Sequence, residues 1–164
     1  MDYTIRAVTE EDLSAILELM RDFAEYENLA SYLEATEAKL REAMFGTNAY
    51  VDGLIAFDRD TPVGYSIFYP SFSSFRGQRG IFLEDLYVSE KYRGDGLGEL
   101  MLRKIAVLAK SRGIERMDFH VLDWNTTAIS FYAKLGAVRA EDERHFKFTD
   151  EAFAKLADER VAPE

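Results

Sequence analysis

The sequence contains no cysteine, only three prolines and only two histidines among 164 residues. Without cysteine, a disulfide framework, a thiol nucleophile and metal sites with cysteine ligands are excluded. The two histidines do not share a metal-ligand spacing, so we expect no metal. No apolar run reaches the roughly 18 residues of a membrane span, and the first residues lack the basic-then-apolar pattern of a signal peptide. These absences predict a cytoplasmic protein without membrane contact.

Positive charge is also scarce, since 20 Lys and Arg stand against 30 Asp and Glu and give a formal charge of −10. We expect no nucleic-acid partner, because proteins that bind the phosphate backbone carry a basic patch. The acidic excess favours a cationic small partner, or it only keeps the protein in solution. The length and the 48% hydrophobic content predict a single domain over residues 1–164.

Apolar periodicity and turn residues predict the order β-α-α-β-β-β-α-β-α-β. The predicted strands are Tyr3–Val8, Tyr50–Phe57, Val63–Tyr69, Ile81–Val88, Arg116–Leu122 and Arg144–Phe148. The predicted helices follow the capping residues Thr9, Thr36 and Thr149 or occupy Gly96–Arg112 and Thr126–Leu135. A hairpin supplies antiparallel pairs and the strand–helix–strand unit supplies a parallel pair. The predicted class is therefore α/β, or mixed α+β, with a mixed sheet.

A glycine-rich loop precedes the longest predicted helix, with the sequence Arg93-Gly94-Asp95-Gly96-Leu97-Gly98. Glycines let the backbone turn tightly, and the helix N-terminus adds about half a positive charge at the same point. This arrangement is typical of phosphate or pyrophosphate binding. The spacing is neither that of a dinucleotide-binding loop nor that of a P-loop. A glycine-rich helix start without a ligand is the alternative.

Two separated segments carry a recognisable pattern, and they are Phe82–Val88 continued by Tyr92–Gly98, and Trp124–Ala137. In this order they resemble the two acetyl-CoA motifs of the GNAT N-acetyltransferases. The Leu-Glu-Asp strand, the Tyr26-Glu27 pair and the Trp-Asn…Phe-Tyr segment are similar to the diamine (spermidine/spermine) and thialysine branch. The resemblance implies a GNAT-like acyl-CoA N-acyltransferase fold. In that fold helices flank a mixed, mostly antiparallel sheet, and a splayed parallel pair lies at the cofactor site.

The resemblance also implies acetyl-CoA as the acyl donor. The backbone of residues 86–88 would pair with the pantetheine arm, and loop N–H groups would bind the pyrophosphate. The charge of Asp95 is tolerable there only if its side chain turns outward. The implied cofactor-binding residues are Leu86, Tyr87, Val88, Arg93, Gly94, Asp95, Gly96, Leu97, Gly98, Glu99, Asn125, Ala128 and Tyr132.

Tyr132 is the predicted proton donor. A leaving thiol has a pKa near ~8.5, so a tyrosine hydroxyl within hydrogen-bond reach can protonate it. The resemblance assigns this role to Tyr132, and simple packing beside Phe131 is the alternative. Because the sequence has no cysteine, an acyl-cysteine intermediate is impossible. The amine would attack directly in a ternary complex.

Two consecutive acids, Glu84 and Asp85, interrupt an apolar strand. An alkylamine with a pKa near ~10.4 is almost wholly protonated at neutral pH, so a carboxylate is needed to attract it and to relay its proton. On a regular strand the two acids would point to opposite faces, but a bulge could bring both to one cleft. Glu84 is the predicted base relay, and a paired structural acid is the alternative. By resemblance Tyr26 and Glu27 join Glu84 and Asp85 as substrate-binding residues.

The segment 71–79 departs from the polyamine pattern, because it has no carboxylate and carries Arg76 and Arg79. A lysine-like amino acid would suit these arginines better than a polycation. The predicted function is an acetyl-CoA-dependent N-acetyltransferase that acts on a primary amine of a small molecule, whether a diamine, a polyamine or a lysine-like amino acid. The alternatives are a non-catalytic acyl-CoA sensor and a dinucleotide-binding redox domain. The resemblance further implies a homodimer.

Overall fold

A computed structural model describes residues 3–141 and 143–158. They form two compact units, one ending at His120 and the other beginning at Val121. The first contains strands β1 (Tyr3–Ala7), β2 (Asp52–Asp58), β3 (Thr61–Ser73), β4 (Gln78–Val88) and β5 (Met117–Phe119), and helices α1 (Leu13–Tyr26), α2 (Glu37–Phe45) and α3 (Leu97–Ser111). The second contains helices α4 (Thr126–Lys134) and α5 (Asp150–Leu156). Within the described residues, every helix is too short or too polar to cross a membrane.

The five strands of the first unit form one sheet in the order β1-β2-β3-β4-β5. Neighbours run antiparallel from β1 to β4, whereas β5 lies parallel to β4. The parallel pairing is short, because β5 opposes β4 only at Ile81, Phe82 and Leu83. The predicted fold class, a mixed and mostly antiparallel sheet with one parallel pair, is confirmed.

Helices cover both faces of this sheet with apolar side chains. On one face α3 packs through Met101, Ile105 and Ala109, which recur every four residues and so share one side of the helix. On the other face Ile16 of α1 packs with Tyr65 of β3 in a cluster that also includes residues of α2. We call these the α3 face and the α1 face.

The segment 71–79 forms the end of a long hairpin rather than a loop. β3 continues to Ser73 and pairs with β4 from Gln78 onward, so only residues 74–77 form the tip. Strand β5 is shorter than predicted and spans only Met117–Phe119. These differences arise where strand pairing, which the sequence does not display, sets the length of each strand.

The second unit departs from the prediction at one strand. Helix α4 ends before Gly136, as expected, and that glycine has a φ of +93°. The predicted strand Arg144–Phe148 is wrong, because residues 143–149 have no regular secondary structure. Phe146 and Phe148 are exposed there, and no strand within the described ranges pairs with this segment. Alternating apolar residues do not form a strand without a partner for their backbone groups.

Candidate active site

Strand β4 carries a β-bulge at Glu84. On the facing strand Ile67 pairs with Asp85 and its neighbour Phe68 pairs with Leu83, so Glu84 has no partner of its own in the β3–β4 register. After the extra residue, every later side chain points to the face opposite to the one that uninterrupted alternation would give it. The bulge that the two consecutive acids suggested is therefore present.

The bulge changes which residues of β4 point to each face. Before it, Leu83 belongs to the cluster on the α3 face, and after it Leu86 and Val88 pack against that same cluster. Tyr87 instead belongs to the cluster on the α1 face. In β4, odd-numbered residues therefore point to the α3 face before the bulge, and even-numbered residues point to it after the bulge.

Two tyrosines of β3 bind the two acids. The hydroxyl of Tyr65 donates to Asp85 Oδ2 at 3.0 Å, and the hydroxyl of Tyr69 donates to Glu84 Oε2 at 3.1 Å. Tyr65 and Tyr69 are four residues apart on one strand and share a face of the sheet. Both carboxylates therefore lie on the α1 face, which a regular strand would not permit.

Burial distinguishes the two acids. Glu84 is exposed, Asp85 is partly buried, and Tyr65 beside it is fully buried. Desolvation is the main reason that the pKa of Asp85 is raised to about 7; the hydrogen bond from Tyr65 opposes the shift, and the charges of Glu84 and Glu27 add to it. A carboxyl group with a pKa near 7 can accept and release a proton at neutral pH.

Glu27, the residue after α1, is a third acid at this place. It is partly buried, and desolvation raises its pKa. Its charge raises the pKa of both Asp85 and Tyr65, so it lies within electrostatic reach of them. We call Glu27, Glu84 and Asp85 the acidic cluster. In the described part of the chain none of the three forms an ion pair, and no group of acids or histidines is arranged to hold a metal.

Aromatic rings pack beside the acidic cluster. Phe23, Tyr65 and Tyr87 contact one another, with ring centroids 5.3 to 6.4 Å apart. The guanidinium of Arg93 lies 4.3 Å from the ring centroid of Tyr26 and 5.5 Å from that of Tyr87. Because Arg93 covers one face of Tyr26, that face is not available to a substrate ammonium group.

One edge of β4 is open after the bulge. Residues 86–88 pair with β3 on one side, and no strand in the described residues lies on their other side. The Nε of Arg93 donates to the carbonyl of Val88 at 2.8 Å, but a carbonyl oxygen can accept a second hydrogen bond. An extended molecule with amide groups can add to such an edge as a further strand.

The glycine-rich loop leads directly into α3. Gly94 and Gly96 have φ values of +86° and +82°, a region that other L-residues enter at a cost of about 1–2 kcal/mol. A Cβ at either glycine would meet no atom within 4 Å, so the space on that side of the backbone is open. The N-cap of this helix is Gly96, which has no side chain to cap it, and the first N–H groups are therefore able to bind an anion. The side chain of Asp95 is exposed.

The other predicted residues belong to the second unit. Asn125 is buried and caps α4, where its Oδ1 accepts a hydrogen bond from the N–H of Ala128 at 3.1 Å. Tyr132 follows about two turns later, is partly buried, and contacts the ring of Phe131 at 5.0 Å. Asn125 therefore has a structural role in α4, and its side chain already binds the Ala128 N–H.

The two arginines of the β3–β4 hairpin do not share one position. Arg76 lies at the tip, whereas Arg79 lies within β4 about five residues, or roughly 17 Å, before Glu84. Strand alternation places Arg79 with Ile81 on the α3 face. Arg79 thus points to the opposite side of the sheet from the acidic cluster and does not face a substrate bound there.

A shallow cavity of about 250 Å³ opens beside the hairpin. It is lined by residues 71–75 together with Arg116 and Asp118. Those two charges pair with each other through hydrogen bonds of 2.7 and 2.9 Å. The cavity is lined by none of the residues of the acidic cluster.

An acidic cluster, an open strand edge and a glycine loop are the features that the resemblance to the GNAT N-acetyltransferases implies. The family model described as "Acetyltransferase (GNAT) family" matches residues 13–137. The chain belongs to the GNAT acetyltransferase family. It is an N-acetyltransferase, and enzymes of the GNAT family use acetyl-CoA as the donor.

Individual GNAT proteins agree with this assignment. The chain is 38% identical over 164 residues to a thialysine N-epsilon-acetyltransferase of Bos taurus, covering 93% of this chain and 96% of that protein. It is 33% identical to the human spermidine/spermine N(1)-acetyltransferase-like protein 1, covering 96% of this chain but 24% of that protein. Among solved structures, an integron cassette protein from the mobile metagenome of V. cholerae has the same fold, with a TM-score of 0.81, 22% identity, and 96% and 99% of the two chains covered.

Sequence reasoning missed Tyr65 and Tyr69. Their spacing, with Ile67 between them, indicates that they share one face of a strand. It does not indicate which residues of the next strand lie opposite, because that depends on the position of the bulge. The two tyrosines therefore become recognisable as partners of the acids only when the register is known.

Proposed function

We propose that this GNAT enzyme transfers the acetyl group of acetyl-CoA to a primary amine of a small molecule, and that its preferred acceptor is a lysine-like amino acid. The observation that carries the proposal is the acidic cluster, whose three carboxylates form no ion pair with any described residue. Glu84 and Asp85 lie on one face of the sheet, next to the open edge of β4 and close in sequence to the glycine loop.

The donor site is formed by backbone groups. Bound acetyl-CoA would supply an acetyl group activated as a thioester. We propose that the β4 edge at residues 86–88 binds the pantetheine arm and that the loop from Arg93 to Glu99 binds the pyrophosphate. The left-handed glycines and the uncapped start of α3 support this assignment, because such a loop and a helix N-terminus offer unpaired N–H groups to an anion. We propose that Asn125 and Ala128, at the start of α4, also contact acetyl-CoA.

The acceptor site is formed by side chains. An ammonium group is attracted by the acidic cluster, where Glu84 is exposed and accessible and where Asp85 and Glu27 are partly desolvated. The amine must lose one proton before its lone pair can attack. Tyr26 is proposed as a further substrate-binding residue, through its hydroxyl or the ring face that Arg93 does not cover.

Tyr132 is proposed as the acid that protonates the leaving thiolate. Support comes from its place in the second motif and from its position about two turns after the Asn125 cap of α4. A tyrosine hydroxyl and a thiol have ordinary pKa values near ~10 and ~8.5, so a hydrogen-bonded tyrosine can supply the proton when a thiolate leaves.

Two observations support a lysine-like acceptor over a polyamine. The thialysine acetyltransferases of cattle and Caenorhabditis elegans match the chain over nearly their whole length, at 38% and 34% identity. In addition, residues 71–79 contain no carboxylate that would bind the distant ammonium groups of a polyamine.

The test is release of CoA thiol by the purified protein with thialysine, lysine, putrescine and spermidine. We expect the highest kcat/KM with thialysine or lysine. A preference for spermidine would overturn the substrate proposal but not acetyl transfer. Binding of acetyl-CoA in calorimetry, without thiol release for any amine, would instead indicate the sensor alternative. Binding of NAD(P)H without acetyl-CoA would indicate the redox alternative.

We further propose that the chain is one acetyltransferase domain over residues 1–164, that it forms a homodimer, and that it is cytoplasmic. The family match supports a single domain because it runs through the boundary between the two units. The dimer rests on the family resemblance, and light scattering after gel filtration tests it. A monomeric mass at working concentrations would contradict it.

A further inference from the structure

The bulge creates two tyrosine–carboxylate pairs that differ in burial. In the outer pair, Tyr69 binds Glu84, which is exposed. In the inner pair, the fully buried Tyr65 binds Asp85, which is partly buried. The two hydrogen bonds have nearly the same length, so environment rather than geometry distinguishes the pairs. Acids in such unequal environments commonly have unequal roles in catalysis.

We propose that Tyr65 is a positioning residue for acetyl transfer, and that its hydroxyl holds Asp85 so that Asp85, rather than Glu84, takes the proton of the substrate ammonium. This inference rests on the proposed amine acetylation. In the step, one N–H bond of the ammonium breaks and its electron pair stays on nitrogen. The proton forms an O–H bond with Asp85, and the carboxyl group later releases it to water.

Tyr65 is suited to this role because it is rigid. Its ring is fully buried and packs against Phe23 and Tyr87, so its hydroxyl has little freedom. Tyr65 donates to Oδ2 of Asp85 and leaves Oδ1 for an incoming donor. Glu84 has a longer side chain and an exposed position, which suit it to attract the ammonium group instead.

The groups that act on Asp85 come from three elements. Tyr65 of β3 favours its charged form, whereas Glu84 of β4 and Glu27 at the end of α1 disfavour it. Together with desolvation they raise its pKa to about 7. An Asp85 carboxylate near neutrality is a stronger base than an ordinary exposed carboxylate, and it still loses the proton again at neutral pH.

The experiment compares Tyr65→Phe with its matched control Tyr69→Phe, each of which removes one hydroxyl and keeps the ring. Loss of the Tyr65 hydroxyl raises the pKa of Asp85, because that hydrogen bond stabilises the carboxylate. In the pH profile of kcat/KM for the amine, the acid limb is the fall at low pH that occurs as the base becomes protonated. This acid limb should move to higher pH by about one unit. Tyr69→Phe should raise the amine KM by a few-fold and leave the limb in place. Thermal unfolding of both variants checks that the fold is retained.

A second pair of variants keeps the proposal testable if Tyr65→Phe does not fold. Asp85→Asn should abolish the acid limb together with most activity, whereas Glu84→Gln should keep the limb. The pKa of the Asp85 carboxyl group would also be measured without catalysis, by a carbon-13 NMR titration of aspartate carboxyl groups. One resonance should titrate near pH 7, be absent in Asp85→Asn, and titrate at higher pH in Tyr65→Phe.

The outcomes separate the inference from the proposed function. If the wild-type protein releases no thiol with any amine, the proposed function fails, whatever the NMR titration reports. If the wild type is active but its limb moves in Tyr69→Phe and not in Tyr65→Phe, then Glu84 is the base and the inference is wrong. Profiles that coincide in wild type and Tyr65→Phe also overturn it.

Discussion

The proposed donor side and the proposed acceptor side of this enzyme consist of different kinds of groups. The proposed donor side consists of backbone groups, namely the left-handed glycine loop, the start of α3 and the open edge of β4. The proposed acceptor side consists of side chains, namely three carboxylates and the two tyrosines that bind two of them. Backbone sites depend on conformation, whereas side-chain sites depend on charge and proton affinity. Substitutions should therefore affect the two sides in different ways.

The largest effect is expected from Tyr132→Phe, which removes a proposed proton donor without altering the backbone. Turnover should fall by about 10²- to 10⁴-fold, the range typical of acid catalysis. Donor affinity, measured by calorimetry with acetyl-CoA, should change far less. Equal turnover of the variant and the wild type at all pH values would rule out the role.

A backbone change on the donor side should come next. Gly96 has a φ of +82°, so Gly96→Ala forces a strained conformation costing about 1–2 kcal/mol. We expect donor binding, measured by calorimetry, to weaken by about ten-fold. The free energy of unfolding should fall by about the same 1–2 kcal/mol.

The matched control for Gly96→Ala is Gly113→Ala. Gly113 follows α3 and has a φ of +72°, and a Cβ there would likewise meet no atom within 4 Å. The control variant should lose comparable stability but keep full donor affinity. If both variants bind acetyl-CoA equally well, the loop does not hold the donor.

A charge change on the acceptor side should have a smaller effect. Glu84→Gln should raise the amine KM by about five-fold, because an exposed ion pair contributes only modestly. The donor KM should stay the same. Glu115→Gln removes an exposed acid between α3 and β5 and serves as the control for net charge. An unchanged amine KM in Glu84→Gln would make Glu84 a structural acid.

The smallest effect should have the opposite sign. Asp95→Asn removes a negative charge between two glycines of the proposed pyrophosphate loop. Because Asp95 is exposed, solvent screens its charge, so donor binding should strengthen only about two- to three-fold. The measurement is calorimetry at two salt concentrations, and the gain should shrink at the higher one. Weaker binding would mean that the Asp95 side chain itself contacts the donor.

The local features of the proposed donor side were easier to predict from the sequence than the side-chain pairs of the proposed acceptor side. Glycines at 94 and 96 and a capless helix start are local features, and the structure has them where the sequence placed them. The pairing of Tyr65 with Asp85 depends on strand register and on a bulge, which are non-local. The predicted strand at residues 144–148 is wrong for the same reason. Alternation of apolar residues is a local pattern, but a strand also needs a second strand to pair with, and the local pattern does not show whether one is present.

The bulge also restricts how β4 can change during evolution. Deleting Glu84 would join Leu83 to Asp85 and restore uninterrupted alternation, and Leu86, Tyr87 and Val88 would keep their present faces, but the acidic cluster would lose one carboxylate. A one-residue change of length elsewhere in β4 would instead move the side chains beyond it to the opposite face. The residue count of β4 should therefore vary less among descendants than that of the hairpin tip at residues 74–77.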